Sequence, residues 1–116
     1  MNPVLQKLRE NNIDTDLVIK KRFLGREEMY YRFLERIRED KNFGILKEKL
    51  ALNDVGGAFR AGHTLKGVLE SLGLSPMIPS IIEIVEILRQ GSTQGVDELM
   101  EQAQLEYDRI QELMEK

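Results

Sequence analysis

At 116 residues, with 41% hydrophobic and 32% charged residues, the chain has the balance of one folded domain (residues 1–116), not of a disordered tail. It holds no cysteine and a single histidine, which excludes disulfides, thiolate metal sites, cysteine nucleophiles and multi-histidine metal centres. The net charge of -3 is uneven: residues 1–58 carry 12 Lys/Arg against 10 Asp/Glu and residues 59–116 carry 5 against 10, which disfavours a nucleic-acid partner.

No window approaches the roughly 18–20 apolar residues of a membrane span, so no membrane association is expected. Met1-Asn2-Pro3 is followed within a few residues by charges, so no secretory signal is expected either, and a cytoplasmic location is the default. The periodicity predicts helices throughout. A short leading helix covers residues 3–11. Asp14-Thr15-Asp16 offers the start of a second, with Gly25 a stop after Leu17 to Leu24. In it, Lys20-Lys21-Arg22 reads as a solvated helix face. Met29, Tyr30, Phe33, Leu34 and Ile37 form one apolar stripe, with Glu28 and Arg32 spaced to pair outside it. Residues 43–52 form a shorter amphipathic piece through Ile45, Leu46 and Leu50.

A longer helix runs from about Asp54 to Leu72 and ends at Gly73. Residues 80–89 are β-branched enough for a strand, but Glu83 and Glu86 share an edge only on a helix, so helix is expected. Ser75-Pro76 is a candidate cap and first position, and Pro79 could delay the start to about residue 80. After a turn at residues 90–95, Val96, Leu99, Met100, Ala103, Tyr107, Ile110 and Leu113 mark the last helix. Short loops between amphipathic helices imply an all-α, up-and-down antiparallel four-helix bundle with one or two extra short helices. Each strong apolar stripe has a helix able to cover it, so a monomer is expected.

The chemistry lies on the helix that ends at Gly73. At roughly 100° per residue, His63 falls about 160° from Leu65, opposite the stripe of Ala58, Leu65, Leu69 and Leu72. Its companions on that side are Gly56, Arg60, Lys66, Gly67 and Glu70, with Phe59 beside them. Gly67 sits mid-helix, where glycine costs about 1 kcal/mol relative to alanine. One turn from His63, it would let a large group approach the imidazole. Lys66 places an ammonium within reach of an anion on the ring. An exposed imidazole, a cation and a cleared landing area suit a nucleophile that holds a phosphoryl group.

His63-Thr64-Leu65-Lys66-Gly67, followed by Leu72-Gly73, resembles the signature of histidine-containing phosphotransfer (HPt) domains. These are small helical bundles that relay phosphoryl groups between receiver domains in bacterial and plant phosphorelays. Asn12-Ile13-Asp14, Phe23-Leu24-Gly25, Glu28-Met29-Tyr30, Phe33-Leu34 and Leu88-Arg89-Gln90-Gly91 extend the resemblance over most of the chain. It implies His63 as phosphoacceptor through its outer ring nitrogen, Lys66 as charge offset and Gly67 as docking clearance. Phe59, Arg60, Glu70 and Ser71 would flank the site. Ser71 fits the small polar residue common eight positions after the histidine. Val68, Leu69 and Glu70 depart from the small residues usual there. Glu70 could hold one imidazole tautomer or repel a phosphoryl group.

The resemblance implies a phosphoryl carrier, not a turnover enzyme, and no phosphate-binding Gly-rich loop for ATP is present. Its partners would be response-regulator receiver domains and hybrid histidine kinases. No cofactor or metal is expected on this chain, because the Mg²⁺ of the transfer would come from the receiver. The alternative is a non-phosphorylated adaptor of the same shape that docks a receiver or helical partner. A carboxylate-bridged metal enzyme would need a Glu three residues before each of two histidines, yet position 60 is Arg. A helix-turn-helix DNA reader would need more than Arg60 and Lys66 on its recognition helix.

Overall fold

The computed structural model describes residues 2–13 and 15–115, so the expected role of Asp14 in a helix start lies outside the described residues. These residues form α1 (Pro3–Glu10), α2 (Thr15–Arg22), α3 (Glu27–Glu35), a 3-10 turn (Arg36–Arg38), α4 (Asn42–Ala51), α5 (Val55–Leu72), α6 (Ile78–Arg89) and α7 (Val96–Leu113). Among the described residues there is no strand, and the segment at 80–89 is helical as the two glutamates required. No described helix is long and apolar enough to cross a membrane.

Consecutive helices from α4 to α7 pack against one another through short turns, which makes an antiparallel up-and-down bundle. α2 and α3 lie against α5, while α1 bridges α2 and α7. The buried side chains from Val4 to Met114 form one continuous cluster. Tyr30 fixes the attachment of α3. Its ring is fully buried and its hydroxyl donates a 2.7 Å hydrogen bond to the Leu72 carbonyl, one of the orphan acceptors at the end of α5. Burial raises the pKa of this hydroxyl well above the usual tyrosine value.

Several boundaries and faces differ from expectation. α6 starts at Ile78, neither at Ser75-Pro76 nor at residue 80. Ser75 and Pro76 lie in the turn, and Met77 caps the helix without a side-chain hydrogen bond. Pro79 is tolerated in the first turn because the N–H it lacks would have had no helical partner there. In α4 the core residues are Phe43 and Leu46, whereas Ile45 is exposed. The stripe of α3 splits: Tyr30 and Leu34, with Ile37 beyond them, are buried, but Met29 and Phe33 each remain 40% exposed. A single helix lying on α5 buries a narrow seam, so the outer edge of a wide stripe stays in water. The expectation that every apolar stripe is covered therefore fails here.

Candidate functional site

α5 is held at both ends by groups that its sequence supplies. Asp54 accepts a 2.9 Å hydrogen bond from the Gly57 amide, satisfying one orphan donor of the first turn. Gly73 adopts φ 69°, and the Gly73 and Leu74 amides donate back to the Glu70 and Leu69 carbonyls at 3.2 and 3.0 Å. Between these caps Ala58, Ala61, Leu65, Leu69 and Leu72 are buried. Gly62 lets α6 approach so closely that a Cβ there would stand 3.1 Å from Val85 Cγ2. This packing sets the rotation of the helix about its axis, and the rotation puts His63 in solvent.

The exposed face carries Arg60, His63, Thr64, Gly67, Glu70 and Ser71, with Lys66 half-buried at its edge. Val68 and Leu69 turn away from it. Leu69 is fully buried and Val68 packs on the core, so neither bulky residue crowds the imidazole. Among the described residues no hydrogen bond or ion pair joins Glu70 to His63.

The two sides of the imidazole differ. Towards α6, Phe59 is half-buried and packs against the core, with its ring 5.8 Å from that of His63 at an interplanar angle of 41°. The Arg89 guanidinium lies 5.1 Å from the Phe59 centroid, and its Nε donates to Glu86 Oε1 at 3.2 Å. An aromatic ring thus separates the imidazole from a cation that it attracts through its face. Arg89 stands in the sequence pattern only as part of the Leu88–Gly91 stretch, not as a site residue. The available signal was register: α5 and α6 run similar lengths back from the Gly73–Met77 turn, which brings residues 59 and 89 level.

Towards α2 and α3, small residues leave space. A Cβ at Gly67 would meet nothing within 4 Å. Gly67 and Ser71 form one wall of an open groove of about 790 Å³, faced by Arg22, the last residue of α2, with Phe23 just past it, and by Phe33 of α3 with Arg36 just after its end. Phe23 rests edge-on against Tyr30 at 5.4 Å and against Phe33 at 5.5 Å, and Arg36 lies 4.5 Å over the Phe33 ring.

The structure thus brings Phe59, Arg60, His63, Lys66, Gly67, Glu70 and Ser71 onto one side of one helix. It adds Arg89 from α6 and the groove from α2 and α3. Arg60 and Lys66 are the cations of this side of α5 and Glu70 its anion, while Arg89 stacks on Phe59 and pairs with Glu86. Among the described residues, no three His, Cys, Asp or Glu side chains gather where they could hold a metal ion.

The family model of the Hpt domain matches residues 28–113. No curated protein gives a significant match, and no solved structure does.

Proposed function

Because the chain belongs to the Hpt domain family, whose members are phosphoryl carriers of phosphorelays, we propose that it passes a phosphoryl group between receiver-domain aspartates on His63. The observation that carries this reading is the exposed imidazole one turn from Gly67, a helix glycine with nothing within 4 Å of its missing side chain. A bulky receiver must bring an aspartyl phosphate to the ring, and only an open approach permits that.

In the forward step the lone pair of the outer ring nitrogen, Nε2, attacks phosphorus. The N–P bond forms, the P–O bond to aspartate breaks, and the receiver carboxylate leaves with that electron pair. The attack itself needs no proton transfer, because the nitrogen that attacks is the one without a proton. Transfer to a second receiver runs the same step in reverse. The chain's part is positioning and charge: Phe59 limits the tilt of the ring, Gly67 admits the donor, and Lys66 with Arg60 offsets the phosphoryl charge. The phosphoryl group is held and passed on, so the chain acts as a carrier.

The partners on this reading are response-regulator receivers and hybrid histidine kinases, met by a monomer in the cytoplasm through a small interface that releases quickly. The continuous core from Val4 to Met114 supports treating residues 1–116 as one unit. The adaptor alternative draws on the bulky Val68-Leu69 pair and on Glu70; Val68 and Leu69 pack on the core, so Glu70 is the feature that favours it.

The test is to mix the protein with a phosphorylated receiver. Acid-labile, base-stable phosphate should appear on the wild-type chain within minutes and be absent from His63→Gln. Label that persists in His63→Gln, or no label on the wild type with any receiver, overturns the assignment.

A further inference from the structure

His63 needs an orientation that its own helix does not supply. The torsion that turns an imidazole about its bond to Cβ is broad and roughly two-fold, so an exposed ring has no strongly preferred plane of its own. Among the described residues His63 makes no hydrogen bond or ion pair, and on the Gly67 side a Cβ would meet nothing within 4 Å. The aromatic contact of the imidazole is with Phe59, at 5.8 Å and 41°.

Phe59 is itself only half-buried. It packs against the core, and the Arg89 guanidinium lies 5.1 Å from its ring centroid. Arg89 is the last residue of α6, and its Nε donates to Glu86 Oε1 at 3.2 Å, three residues back on the same helix. An arginine suits this place, because its guanidinium is planar and can lie against an aromatic face. Carboxylate, guanidinium, benzene ring and imidazole thus form one series that ties the end of α6 to His63 on α5.

Resting on the relay reading above, we propose that Arg89 is a positioning residue for His63: it clamps the Phe59 ring, and Phe59 in turn holds the plane of the imidazole for the incoming phosphoryl donor. With Phe59 between them, Arg89 reaches the reaction through the ring plane and not through its charge. The expected size follows from exposure. Arg89 and Glu86 are both about half exposed, so their ion pair is of the weak surface kind. Losing the clamp should therefore cost about two- to fivefold in rate, the range that an exposed cation–π contact supplies.

The chain has one histidine, so the Hδ2 and Hε1 resonances report on His63 alone. They are read on the full chain at a pH where they no longer move with pH. The ring-current displacement is the difference between wild type and Phe59→Leu. Arg89→Ala should lose at least half of it. Transfer from a phosphorylated receiver at saturating concentration should slow about two- to fivefold, equally at 50 and 300 mM salt, with receiver affinity unchanged. In the Phe59→Leu background Arg89→Ala should change neither resonances nor rate, because the group it acts through is gone. Arg60→Ala, a cation of the same side of α5 outside the series, should slow transfer in a salt-dependent way and leave both resonances in place.

Loss of less than half the displacement in Arg89→Ala would overturn the proposal, as would a rate effect that persists in full without Phe59. A slowing that disappears at 300 mM salt would also overturn it, by making Arg89 a charge and not a clamp. If His63 takes no label from any receiver while Arg89→Ala still moves its resonances, the relay reading fails and the clamp stands.

Discussion

The flank of His63 towards α6 is filled, and the flank towards α2 and α3 is empty. On the first, Phe59 lies against the imidazole and Arg89 lies over Phe59, held in turn by Glu86. On the second, Gly67 and Ser71 face open space. A phosphoryl carrier needs both conditions. A ring free on every side would lose orientational entropy each time it met a donor, and a ring packed on every side could meet none. The two glycines of the helix divide the same way. Gly62 admits a neighbouring helix of the same chain, and Gly67 faces open space.

That contrast is most easily broken by filling the empty flank. Gly67→Leu should lower receiver-dependent transfer at least a hundredfold while leaving the urea midpoint at or above that of wild type, because no neighbour opposes the new side chain. Transfer that survives would mean the donor arrives from another side. Removing charge from the filled flank should matter less. Lys66→Ala is expected to slow transfer about tenfold, or about 1.4 kcal/mol of barrier, with a smaller effect at high salt. Single-turnover rates at two ionic strengths would decide it.

The support behind the groove can be loosened without touching its lining. Tyr30→Phe leaves the Leu72 carbonyl without its buried donor and should cost about 1–2 kcal/mol in urea unfolding at pH 7. It also has a pH signature. The folded-state pKa of Tyr30 is raised above its unfolded value of about 10, so its contribution is intact below that pH and declines as pH rises beyond it. Wild type should therefore lose up to about 1.4 kcal/mol per pH unit from this group above pH 10, and the phenylalanine variant should lack that component. Parallel stability curves for the two proteins from pH 9 to 11 would contradict this account.

The smallest effect separates the glycines. Gly67→Ala should stabilise the fold by about 0.5–1 kcal/mol through helix propensity alone. Gly62→Ala should gain less or lose stability, because its Cβ presses on Val85 at 3.1 Å. Equal midpoints for the two variants would show that α6 yields at no cost.

Much of this arrangement was legible before folding. The spacing of Ala58, Leu65, Leu69 and Leu72, on a helix expected from about Asp54 to Leu72 and ending at Gly73, was enough to turn His63 outward, because a helix has a fixed angular step and one face must leave water. The motif from His63 to Gly67 resembles that of the HPt family, and because its residues are close in sequence, helical geometry alone brings them together.

What lay between helices could not be read in that way. Which edge of the α3 stripe is buried, why Arg89 stands behind Phe59, and that Arg22 and Phe23 reach the side of Gly67 all depend on how helices cross. Local periodicity names an apolar face but not the neighbour that covers it, or how much of it is covered. The helix that carries His63 was therefore determined by its own residues, and the groove beside it was decided only when α2 and α3 packed against α5.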